Sequence, residues 1–333
     1  MDRFVVGTGR CGSTLLSRML AQQPSLLSIF EFFNGLDMTK RFGSAPVDGE
    51  AFAALLSQEH PIVTMVLSRG YKVEEITYAF DKPRARYTPG QGLPWLLVST
   101  LPRLTDDPDA LYDEVVAFAR TLPKQALVLD YRALFDWLAQ RFGRSCWMER
   151  SGSSIDYLGS LHKLFPNARF LHLHRDGPET ALSMREHAAY RLAIHFVFEK
   201  PRDTEPSIEE LRTLESGRGG DDAIGRILAS RPPVEYFGGY WSQELQHGMR
   251  AAAKLPAEQY MEARFEDLVR APQKTLLTIS EFFDLDPDAG GWRESAAALV
   301  RGVPPTRFDK LSPEEQGRLA EACRPGMELL GRA

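Results

Sequence analysis

Short apolar runs alternate along the chain with longer stretches in which apolar residues return every three or four positions. Residues 4–6, 146–148, 169–173 and 260–264 read as strands, and a helical pattern follows closely on each. A strand that feeds a helix and then another strand needs a parallel sheet with right-handed crossovers. The predicted fold class is therefore α/β, a doubly wound parallel sheet flanked by helices. After the first strand a helix is predicted over 13–23, broken at Pro24 and followed by a short extended "LLSIF". Near the C-terminal end of the chain, Leu276, Ile279 and Phe283 mark the buried stripe of another helix.

Two regions depart from the alternation. About 60–105 contains "YKVEEITYAFDKPRARYTPGQGLPWLL", in which Pro and Gly punctuate aromatic residues, and about 190–232 contains "EKPRDTEPSIEE" and "ESGRGGDD". The first is expected to be an insertion on the acceptor side of a site and the second a mobile lid, within a single domain covering 1–333. The composition, 43% hydrophobic and 26% charged over 333 residues, suits a soluble globular protein. A net charge of -5 argues against a surface that coats nucleic acid. No run reaches the length of a membrane span and no signal peptide is evident, so a cytoplasmic location is expected. Three widely spaced cysteines give neither a disulfide framework nor a zinc pattern.

Chemistry concentrates in three stretches. The first strand runs into "GTGRCGST", residues 7–14, the outline of a phosphate-binding loop with Ser13 where a lysine would follow the second glycine. A strand that turns through glycines into a helix aims backbone N–H groups and the positive helix end at one point, an anion site. The missing lysine disfavours nucleoside triphosphate chemistry, although a P-loop kinase or NTPase stays an alternative. Arg10 suits a planar grip on a tetrahedral oxyanion. In "LHLHRDGPETALS" a strand delivers Arg175 to the start of a helix that carries Ser183 eight positions later, so both can converge on one phosphate. The third stretch, "ARFEDLVRAPQKTLLTISEFFDL", is a strand, an acidic turn and a helix. His172 and His174 share a strand face without a third ligand, and no metal is expected.

In that order, "FVVGTGRCGSTLLSRML", "WMERSGSSIDYLGSLHKLFPNARFLHLHRDGPETALSM" and "ARFEDLVRAPQKTLLTISEFFDL" resemble the sulfotransferases that use 3′-phosphoadenosine 5′-phosphosulfate (PAPS), above all the branch of tyrosylprotein sulfotransferases and many bacterial enzymes. The resemblance implies a P-loop-like fold, transfer of a sulfuryl group to a hydroxyl acceptor by in-line displacement, and no metal. It implies that Arg10, Cys11, Gly12, Ser13 and Thr14 cradle the phosphosulfate and that Arg175 and Ser183 hold the 3′-phosphate. Arg150 stands where the family commonly has Lys, and as a guanidinium it would act as an electrostatic clamp. Phe265 stands where a Tyr is frequent and would pack against adenine. Glu31, 21 residues after Arg10, matches the family's catalytic base, with His187 or His195 in reserve. Arg301 and Arg307 are candidates to replace a C-terminal basic loop. The acceptor, whether a small metabolite, a lipid or a glycan headgroup, is left open, with Tyr78, Phe80, Tyr87 and Trp95 as candidate walls or core. A sulfotransferase-like protein that binds nucleotide without turnover is the remaining alternative, suggested by the Arg at position 150.

Overall fold

The computed structural model describes residues 1–33, 41–71, 73, 75–198 and 222–332. Its centre is a five-stranded sheet built from β1 (Arg3–Val6), β2 (Leu26–Phe30), β5 (Cys146–Arg150), β6 (Arg169–His174) and β7 (Tyr260–Arg264), in the order β2-β5-β1-β6-β7. Every pairing in it is parallel. A two-stranded antiparallel ribbon, β3 (Pro46–Val47) with β4 (Gln125–Ala126), lies apart from it.

Side chains alternate across the sheet because the strand period is two. Phe4, Val6, Leu27, Ile29, Trp147 and Phe170 enter one core layer, where the Phe4 and Phe170 rings stack at 5.4 Å. Val5, Leu26, Met148, Leu171 and Leu173 enter the other layer. There they meet Leu16, Met19 and Leu20 of the helix Ser13–Leu20, and Leu276, Ile279 and Phe283 of the helix Pro272–Phe283. Burial on both faces is why these strands read as continuous apolar runs. A third layer joins the helices Gly177–Arg185, Val234–Ala252 and Pro313–Leu329 through Leu182, Trp241 and Leu319.

Several boundaries differ from the sequence expectation. The strands expected to stop at 148 and 173 continue to Arg150 and His174, and the first helix ends at Leu20 instead of 23. "LLSIF" is a full edge strand, in register with β5 from Leu26 opposite Cys146 to Phe30 opposite Arg150. That register sets Glu31 beside Arg150, whose carbonyl accepts the Glu31 N–H at 2.7 Å. The 60–105 region forms the short helices Pro61–Leu67 and Trp95–Val98 and a 3-10 turn Leu101–Arg103. In the region expected to be a lid, both flanks are helical, Ala188–Phe198 and Ala223–Ala229, and residues 199–221 lie outside the described residues. Among the described residues no helix is long and apolar enough to cross a membrane.

Parallel strands all present their carboxyl ends on one side, which is where open α/β sheets place their ligand crevices. The loop after β1, Glu31 after β2, Arg150 at the end of β5 and Arg175 after β6 all emerge there.

Candidate active site

The chain leaves β1 through a turn with left-handed backbone at Gly9 (φ 74), Arg10 (φ 52) and Gly12 (φ 91). Gly12 then caps the helix Ser13–Leu20 with no side-chain hydrogen bond to that end. Ser13 and Thr14, in the first turn of that helix, both line the adjoining cavity. A Cβ on Gly12 would sit 2.1 Å from the Phe265 ring, and one on Gly9 would sit 1.8 Å from the Tyr190 hydroxyl, so neither position admits a side chain.

Arg10 turns its guanidinium sideways, donating from Nε to Ser183 Oγ at 3.2 Å and from NH1 to Glu75 Oε1 at 2.8 Å. Cys11 is buried, and that burial pushes its thiol up, so it offers packing rather than a nucleophile. Phe265 is buried behind Gly12, with the Arg175 guanidinium 4.9 Å over its ring. It is a platform beneath two site elements and does not itself line the cavity. Burial pulls the Arg175 guanidinium down, and the Glu179 carboxylate offsets this at 3.7 Å. Glu179 also accepts the backbone N–H groups of Arg307 at 2.5 Å and Phe308 at 2.9 Å, which ties Arg307 to the same corner. Arg307 lines the cavity, whereas Arg301 is exposed and does not.

At the β2–β5 edge Arg150 is 1% exposed. It donates from Nε to Ser17 Oγ at 2.9 Å and from NH1 to Glu31 Oε1, while its NH2 has no partner. Glu31 holds a left-handed backbone (φ 52), and its second oxygen accepts the Gly152 N–H at 3.0 Å. The turn that imposes this conformation is pinned by Glu149, whose Oε1 accepts from Phe32 N, Phe33 N and Ser151 Oγ at 3.1, 3.2 and 2.5 Å. Burial outweighs those hydrogen bonds and pushes the Glu149 carboxyl up to about 8.

All of this converges on one cavity of about 550 Å³. Its cations are Arg10, Arg103, Arg150, Arg175 and Arg307, and its carboxylates are Glu31, Glu75, Asp156 and Glu244. One wall is apolar, made by Val63, Val66, Val73, Ile76, Trp95 and Val98 from the 60–105 region. Of the four aromatic residues read as candidate walls or core, Trp95 alone reaches the cavity. Tyr78, Phe80 and Tyr87 pack on one another with ring centroids 5.0 and 6.1 Å from Tyr78. Of the two reserve bases, His187 lines the cavity and His195 does not. His187 Nε2 lies 2.6 Å from Glu75 Oε2. Burial would raise the Glu75 carboxyl, but the hydrogen bond and charge of His187, with Arg10, hold it down at about 2.

Sequence reasoning missed Glu75, Arg103, Asp156, Tyr190, Tyr240 and Glu244. Glu75 and Arg103 sit in a region without periodicity, and the others lie on helix faces or turns with no motif to mark them. The Glu244 carboxyl is pushed up to about 8 by burial and by the charge of Asp156. His172 and His174, 5.4 Å apart between ring centres, are off the cavity, and burial lowers them to about 3 and about 4. Among the described residues no group of three or more His, Cys, Asp or Glu is arranged to hold a metal.

A model of a sulfotransferase family matches residues 3–207. No curated protein matches the chain in sequence. Among solved structures, the chain is similar to the sulfotransferase domain from the curacin biosynthetic pathway, with 15% identity over 96% of each chain and a TM-score of 0.45. It is also similar to a sulfotransferase from Alicyclobacillus acidocaldarius, with 18% identity over 99% of this chain and 94% of that one and a TM-score of 0.41. Sulfotransferase STF9 from Mycobacterium avium gives 18% identity over 98% of this chain and 76% of that one, with a TM-score of 0.42.

Proposed function

Since the chain belongs to this sulfotransferase family, we propose that it moves the sulfuryl group of PAPS onto a hydroxyl acceptor by in-line displacement. The observation that carries the reading is the meeting of the loop 7–14, Arg150, Arg175 and Ser183 on one cavity, although they come from three separate strand ends. The residues present fit such a ligand. A buried guanidinium with an unpartnered NH2, a helix start without a side-chain cap and glycines that leave no room for a Cβ are features an anion pressed against backbone would satisfy.

In this reading the loop amides from Arg10 to Thr14 and the Arg10 guanidinium hold the phosphosulfate. Arg175, Ser183 and Arg307 hold the 3′-phosphate, with Phe265 supporting Arg175 from behind. Bound PAPS supplies an activated sulfuryl group on a phosphate that leaves without needing a proton. Arg150 places positive charge where the transfer builds negative charge, and Glu31 holds it there. The apolar wall from Val63 to Val98 excludes water and would take the body of the acceptor, a small molecule or the head of a lipid or glycan. A kinase or NTPase would want a lysine at Ser13, and the family match does not favour one.

Calorimetry with adenosine 3′,5′-bisphosphate and ATP side by side, without metal, tests the reading. Tighter binding of the bisphosphate is expected, and equal or tighter binding of ATP would overturn it.

A further inference from the structure

We propose that the acceptor carries an acidic group beside its apolar body, and that Arg103 is the residue that selects it. The proposal rests on the sulfotransferase reading above and names the class of molecule that would receive the sulfuryl group.

The charges of the cavity are unevenly matched. Arg10 meets Glu75, Arg150 meets Glu31 and Arg175 meets Glu179. Asp156 lies 2.8 Å from His247. Burial pushes the Glu244 carboxyl up to about 8, so near neutral pH it carries little charge. Arg307 is exposed, and water solvates its guanidinium. Arg103 differs from all of these. It is partly buried, and among the described residues it meets no carboxylate within ion-pair distance and donates no side-chain hydrogen bond. Its Nε is sealed from the surface, whereas NH1 and NH2 stay accessible on a residue that lines the cavity. The Phe30 ring lies 4.9 Å from its guanidinium carbon and also carries the Arg150 guanidinium, at 5.0 Å. Burial, and after it the Arg150 charge, pulls the Arg103 guanidinium below its ordinary value; Glu31 and Glu75 work against this, and Arg18 adds to it. A cation so placed is short of negative charge, and an anion fixed against it would supply what the protein does not.

Position decides which anion that is. Arg103 ends the 3-10 turn Leu101–Arg103, and the chain just before it gives Trp95, Val98 and Ser99 to the same cavity. The cation and the apolar wall thus belong to one segment, while Arg10, Arg150 and Arg175 come from the strand ends. An apolar body lying on that wall would bring an acid group to NH1 and NH2, whose spacing suits two oxygens of a carboxylate or phosphate. Because Arg103 and Arg150 share one ring, a short arm from the acid group carries the acceptor hydroxyl towards the sulfuryl group proposed beside Arg150. A neutral acceptor of the same shape would cover Arg103 without satisfying it, and an unsatisfied buried donor is costly.

Calorimetry on the protein saturated with adenosine 3′,5′-bisphosphate tests this with two phenols of one shape, 3-(4-hydroxyphenyl)propionate and its primary amide. The wild type should bind the acid about 10- to 100-fold more tightly than the amide, the worth of a hydrogen bond between charged partners. Arg103→Met should bring the acid down to the level of the amide and leave the amide as it was. Arg103→Gln, which keeps a polar end, should do the same. A wild type that binds the acid no more tightly than the amide overturns the proposal. So do variants that keep the preference, or that are folded by circular dichroism and lose both phenols alike. A wild type that does not bind the bisphosphate is a separate result and overturns the sulfotransferase reading itself.

Discussion

Arg175 rests on the Phe265 ring, with Glu179 3.7 Å away to balance its charge and Arg307 brought near by the same carboxylate. One guanidinium paired with Glu179 and a second arginine tied to the same carboxylate by its backbone N–H make a corner that an anion would complete, and the 3′-phosphate is the anion proposed for it. Arg175→Ala is expected to weaken adenosine 3′,5′-bisphosphate by about 1.5 to 3 kcal/mol, the worth of a hydrogen bond to a charged group. Adenosine 5′-phosphate should bind almost as before. Competitive titration of the two nucleotides checks this, and equal losses would move Arg175 out of the 3′-phosphate site. Arg10 and Arg175 were readable as site candidates because each follows a strand, Ser183 because it stands eight positions after Arg175 on the next helix, and Arg150 through the family resemblance. What Arg150 and Glu31 do to each other was not readable, since their pairing depends on the register of β2 against β5.

At the scale of the element, the loop between β1 and the helix Ser13–Leu20 combines two constraints at Gly12. Its φ of 91 belongs to backbone that residues with a Cβ avoid, and the space a Cβ would need is filled by the buried Phe265 ring. Gly12→Ala should therefore cost about 1 to 3 kcal/mol of stability through backbone strain, and it should lose bisphosphate affinity as the loop amides turn away. Urea unfolding and calorimetry on the same preparation report both effects. A variant with wild-type midpoint and affinity would show that the loop shape is not needed. The loop was legible because its glycines, strand and helix are contiguous in the chain. The edge strand Leu26–Phe30 was half legible, as an extended piece without a partner, because an apolar pentapeptide does not say which neighbour it will pair with.

Across the whole molecule, Glu75 ties three distant segments together. It belongs to the 60–105 region, accepts from Arg10 in the loop after β1, and meets His187 at the junction of two helices. Its carboxyl is lowered from an ordinary 4.5 to about 2 when folded. A lowered carboxyl contributes stability that is fully present above the unfolded value and lost as pH falls through the folded one. The stability advantage of the wild type over Glu75→Gln should therefore hold above pH 4.5 and fade between pH 4.5 and 2. Denaturant unfolding of both proteins across that range measures it, and a constant difference would mean that the ionised carboxylate does not hold these segments together.

The alternation of apolar runs and helical periods was enough to determine the α/β class and the parallel sheet. The strand–glycine–helix order determined the end of the cavity formed by residues 7–14. These follow from local rules, in which a strand or a helix declares itself by its own period and a glycine turn by its own backbone. The other end of the cavity was decided only by tertiary structure. Glu75, Arg103, Tyr190, Tyr240 and Glu244 meet there from segments far apart in the chain, and the Arg150–Glu31 and His187–Glu75 pairs form through packing between elements. Such contacts leave no periodic trace in a sequence, because the free energy that selects them comes from burial and charge pairing between segments rather than from the conformational preference of any one of them.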